Sequence, residues 1–67
     1  MSSLGEELPR EMTRVRGLIP MYTEIGPPGM FAVTMMNAAL DAAQKALAEG
    51  DVIAMLRVYE ELKGFHE

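Results

Sequence analysis

The sequence predicts an all-α fold, a three-helix bundle with a kinked first helix and a tight αα-hairpin formed by helices 2 and 3. Three observations predict it. Apolar residues recur three and four positions apart over long stretches, the period of one helix face. Glycine and proline at Gly26-Pro27-Pro28-Gly29, Gly50-Asp51 and Gly64 cut the chain into three such stretches. The middle stretch, Ala38 to Ala48, is made almost entirely of strong helix formers. With 67 residues there is room for a single domain, 1–67.

The first helix is expected over about residues 4–25. Ser3-Leu4-Gly5-Glu6 fits a capping box, with Ser3 capping a backbone N–H and Glu6 reaching back. Leu8, Met12, Val15, Ile19 and Tyr22 then form one stripe. Pro9 either sits early in a helix that starts at Ser3 or opens a later one. Pro20 removes the bond to the Arg16 carbonyl and crowds that turn. The stripe stays in phase through Tyr22, so a kink is expected there in place of two separate helices.

The second helix is expected over about 29–48, with Pro28 or Gly29 in its first turn. Thr34, Asn37, Asp41, Gln44, Lys45 and Glu49 share one arc. The remaining apolar arc is roughly 220° wide, well beyond the ordinary stripe of a surface helix. This helix should therefore be central, buried by more than one neighbour. The third is expected over about 52–63. Asp51 is a good N-cap, and Gly50 suits a left-handed closure of helix 2. The short connection Glu49-Gly50-Asp51 makes helices 2 and 3 a hairpin. Val52, Met55, Leu56, Tyr59 and Leu62 form the predicted stripe, Ile53 points away from it, and Phe65 is placed to fold back towards Tyr59.

Composition narrows the function classes. Six Lys and Arg stand against ten Asp and Glu, a net charge of −4. Phosphate binding draws its affinity from basic residues, so nucleic acid and anionic membranes are poor matches. No apolar run approaches a membrane span, and the first residues carry no signal-peptide pattern, so a cytoplasmic location is expected. With no Cys and one His, His66, neither a disulfide nor a metal site is expected, and no cofactor motif is present. Ser2, Ser3, Thr13, Thr23 and Thr34 have no local His to activate them. Glu6-Glu7 and Glu60-Glu61 are adjacent pairs that do not face each other on a helix. Gly26-Pro27-Pro28-Gly29 lacks the donors and the Lys of a phosphate cradle. With no catalytic set to assemble, the chain is read as non-enzymatic.

Two features point to partners. Seven methionines are many for this length, and Met is over-used on adaptable binding surfaces. Met30, Phe31, Val33, Met35 and Met36 are too widely spread for one groove of a three-helix monomer. With Ile53 they form the candidate interface of a homo-oligomer, dimer or larger. Arg10, Arg14 and Arg16 form a candidate docking patch that would bias orientation, set against the plainer reading of a mixed-charge face with Glu6, Glu7 and Glu11. Two other readings stay open: a helix-turn-helix nucleic-acid regulator built on helices 2 and 3, and an acidic inhibitor of a host enzyme.

The series Ser2-Ser3-Leu4-Gly5-Glu6-Glu7-Leu8-Pro9-Arg10-Glu11-Met12, then Ile25-Gly26-Pro27, Gly50-Asp51-Val52 and Tyr59-Glu60-Glu61-Leu62-Lys63, resembles small uncharacterised helical proteins encoded by tailed phages and prophages. The resemblance implies an accessory or host-interaction role, with a host protein as a further partner. It carries no activity.

Overall fold

A computed structural model describes residues 3–66; Met1, Ser2 and Glu67 lie outside the described residues, and with them Ser2 as a candidate nucleophile. Three helices follow in order: α1 Leu4–Ile25, α2 Pro27–Glu49 and α3 Val52–Lys63. No strand is present among the described residues. Every helix pair is in contact, so the three close a bundle of 36 × 22 × 15 Å.

α1 starts at Ser3, and Pro9 lies inside it. The capping box does not form: Ser3 caps with its backbone carbonyl alone, which accepts from the N–H of Glu6 and Glu7 at 3.0 and 2.9 Å. Two acidic residues in the first turn, Glu6 and Glu7, favour the helix dipole without a side-chain bond. α1 continues unbroken across Pro20. Pro20 and Arg16 are both exposed, so water reaches the carbonyl that loses its donor. The kinked form has no support beyond the proline itself.

The connection to α2 is tighter than predicted. α2 starts at Pro27, so both prolines sit in its first turn, where no N–H is needed, and Gly26 alone links the helices. Gly26 takes φ 91°, a backbone conformation open to glycine. Its carbonyl accepts from Gly29 and Met30 N–H and opens the helix. Gly29 then packs against α1: a Cβ there would fall 2.0 Å from the Tyr22 carbonyl oxygen. At the other end α2 runs to Glu49 and closes on Gly50 in the left-handed region, leaving Gly50-Asp51 as the hairpin link. Asp51 caps α3 as predicted, its Oδ1 accepting from Ala54 N–H at 3.1 Å.

Leu8, Met12, Val15 and Leu18 of α1 pack with Met36, Ala39, Leu40, Ala43 and Ala46 of α2 and Met55, Val58 and Leu62 of α3. α2 supplies the broadest buried face, as its wide apolar arc predicts. Two stripes are rotated from expectation. In α1 the buried residue is Leu18, while Ile19 and Tyr22 are half-buried. In α3, Met55, Val58 and Leu62 face inward, and Val52 and Leu56 are exposed. Spacings of three and four place Met55, Val58 and Leu62 on one line, so α3 carries two apolar faces and only one meets the bundle.

Candidate interaction surface

The direction of α3 follows from two contacts at long sequence separation. Arg14 Nη2 donates to the Leu62 carbonyl at 2.8 Å, and Tyr22 Oη donates to the His66 carbonyl. α3 therefore runs parallel to α1, with Leu62 level with Arg14. At 1.5 Å per residue α3 is about 18 Å long, against about 33 and 35 Å for α1 and α2. It covers only the half of the α1–α2 groove that holds the start of α1. Beyond Leu62, Gly64 ends the helix, and the tail turns onto α1 with Phe65 half-buried against the core.

Beyond α3 and this tail, large apolar side chains are exposed on α1 and α2. Met21 and Ile25 follow Arg14 by seven and eleven residues, within about 20° of its direction around α1 at 100° per residue. They thus stand on the side that faces α3, past the place where α3 stops. On α2, Gly29 marks the edge towards α1, and Ala39 and Ala46 lie on the opposite edge of the buried arc. Met35 is one turn before Ala39, and Phe31 one turn before Met35. Met21, Ile25, Phe31 and Met35 are all exposed, Phe31 at 75%. Met21 and Ile25 escaped the sequence reading, because nothing in a helical stripe tells where a neighbouring helix will end.

The predicted interface residues divide. Met30, Phe31 and Met35 are exposed, but Met30 stands about 140° from Met35 around α2, on the far flank. Val33 and Met36 are core residues, Met36 only 1% exposed, and are removed from the interface. They fall on the line of Gly29, Val33, Met36 and Leu40, which meets α1, so a single residue, about 100° of rotation, separates the core Met36 from the surface Met35. Ile53 is exposed at 66% and is joined by Val52 and Leu56, which makes a second apolar patch on the outward face of α3.

The arginine patch also divides. Arg10 pairs with Glu7 at 3.0 Å on an open surface. Arg14 pairs with Glu11 through Nε and Nη2 and uses Nη2 again on the Leu62 carbonyl, so it clamps α3 to α1 and leaves the docking patch. The positively charged fork fits an orphan carbonyl at a helix C-terminus. Arg16 is exposed and makes no ion pair among the described residues. The three side chains therefore do not act as one basic patch.

Among the described residues there is no pocket and no group of three potential metal ligands, and no polar side chain is buried. No helix is long and apolar enough to cross a membrane among the residues described. The chemistry on offer is burial of apolar surface. Compared with protein families, curated proteins and solved structures, the chain matches none.

Proposed function

We propose that this protein is a small non-enzymatic interaction module that associates with copies of itself through the apolar side chains exposed on α1 and α2 beyond the end of α3. The observation that carries this reading is the set of large apolar side chains left bare where α3 stops: Met21, Ile25, Phe31 and Met35. Single exposed apolar residues are ordinary on a surface, whereas several large ones at the same end of a small bundle favour a binding role. Two of the four are methionines, whose flexible chains adapt to a partner. A role as an accessory protein acting on a host partner, suggested by the phage-like sequence pattern, is compatible with the same surface.

Light scattering on the eluting protein tests the reading. The native mass should be at least twice the 7.4 kDa of one chain. Phe31→Lys combined with Met35→Lys should return it to one chain with helical content unchanged, because both side chains are exposed. A strictly single-chain mass at high micromolar concentration would overturn self-association.

A further inference from the structure

We infer that Met21, Met30 and Met35 are sites of reversible oxidation by peroxide, and that their sulfoxides switch off the self-association proposed above. The second half of this inference rests on that reading; the first half does not. The chain has no cysteine, so thioethers are its only sulfur, and a peroxide meets no thiolate that would react first. The fold then sorts the methionines into two groups. Met21, Met30 and Met35 are 43–44% exposed, while Met12, Met36 and Met55 are 8% exposed or less and belong to the core. Met35 and Met36 are neighbours in sequence with the same side chain, and they fall in opposite groups.

The chemistry is a two-electron oxygen transfer. A sulfur lone pair attacks one oxygen of hydrogen peroxide; the S–O bond forms and the O–O bond breaks. Sulfur is oxidised, and the second oxygen leaves as water with both peroxide protons. A flexible apolar side chain becomes polar and chiral. On an exposed methionine the new oxygen is hydrated, and the packing beneath is untouched. At Met36 the same oxygen would be buried without a partner, in a core that holds no polar side chain among the described residues. Packing therefore shields the methionines whose oxidation would break the bundle and presents those whose oxidation it tolerates.

The exposed three lie towards the α1–α2 link. Met21 is in the last two turns of α1, and Met30 and Met35 are in the first three turns of α2. Met21 and Met35 belong to the apolar set proposed to pair, and Met30 flanks it. Each oxidised copy would bring two sulfoxide oxygens into the contact, which weakens pairing by about 100-fold or more. Pairing in turn covers Met21 and Met35, so the single chain is the form that reacts at these two, and an oxidised chain does not pair again.

Protein diluted until it runs as a single chain is treated with hydrogen peroxide, and peptide mapping follows each methionine over time. Met21, Met30 and Met35 should each gain one oxygen, while Met12, Met36 and Met55 lag by about tenfold or more because they react only when the bundle opens. Circular dichroism should stay that of the parent. Equal rates at Met35 and Met36, or loss of helix as the exposed three react, overturns the oxidation sites. The oxidised protein is then concentrated for light scattering. Its mass should stay at one chain, 7.4 kDa, and methionine sulfoxide reductases of both stereospecificities, with a dithiol as reductant, should restore the larger mass. An assembly that persists through oxidation, or one that the reductases do not restore, overturns the switch and leaves self-association standing. Untreated protein that is a single chain at every concentration overturns self-association and the switch with it, and the oxidation sites then stand or fall on the mapping.

Discussion

Gly29→Ala is a sensitive test of how α1 and α2 meet. The new Cβ would lie 2.0 Å from the Tyr22 carbonyl oxygen, 2.9 Å from its carbon and 3.2 Å from Ile25 Cβ. Two of these atoms are backbone, so no rotamer change relieves the clash; the helices must part by about 1 Å or more to reach ordinary contact. Overpacking of this kind costs about 1–3 kcal/mol, and a backbone obstacle puts it at the upper end. Alanine returns up to about 1 kcal/mol of helix propensity. The net loss is about 2 kcal/mol, a large share of the ~3–5 kcal/mol that a core of this size supplies. For a domain of this length that is a fall in Tm of about 8–16 °C. Gly17→Ala is the internal control: it is helical, exposed and has nothing within 4 Å of its Cβ position. It should gain about 0.8 kcal/mol and raise Tm by about 3–6 °C. Thermal melts by circular dichroism, at a fixed protein concentration, read both. A Gly29→Ala protein melting at or above the parent would refute the close approach of the two helices.

Other substitutions separate residues that look alike in sequence. Arg14→Gln should lose about 1–2 kcal/mol in urea denaturation, since it frees the Leu62 carbonyl and breaks the Glu11 pair. Arg10→Gln, whose pair with Glu7 is open to solvent, should change stability by less than about 0.5 kcal/mol. Asp51→Ala removes a formed cap and should cost about 1 kcal/mol, whereas Ser3→Ala, which loses no side-chain cap bond, should be close to silent by the same melts. Met36→Ala should cost about 2–5 kcal/mol by opening the core, while Met35→Ala should leave single-chain stability nearly unchanged and lower the native mass instead.

Much of the fold was legible because its signals are local. Glycine with φ above zero at Gly26 and Gly50 ends a helix wherever it occurs, and Pro27 and Pro28 start one, so the helix bounds came within about two residues. Leu8, Met12 and Val15 lie on one line and entered the core as expected. Asp51 needs only its own backbone neighbours to act as a cap. Which apolar side chains stay exposed was less legible. Periodicity groups residues by direction around a helix but does not say which direction a neighbour occupies. Val33 and Met36 therefore looked the same as Phe31 and Met35 until α1 covered the first pair. In α3 two apolar faces competed, and Val58 entered the core in place of Leu56.

The sequence by itself determined the three helices, their order and the central place of α2, since propensity, capping and apolar period are properties of consecutive residues. Tertiary structure alone decided the rest. The bond from Arg14 to the Leu62 carbonyl joins residues 48 apart, and it sets α3 beside the first half of α1. The clearance at Gly29 is a distance between two backbones, invisible in a residue with no side chain. A helix of 12 residues is packed against helices of 22 and 23, and only their relative placement shows which apolar side chains remain exposed.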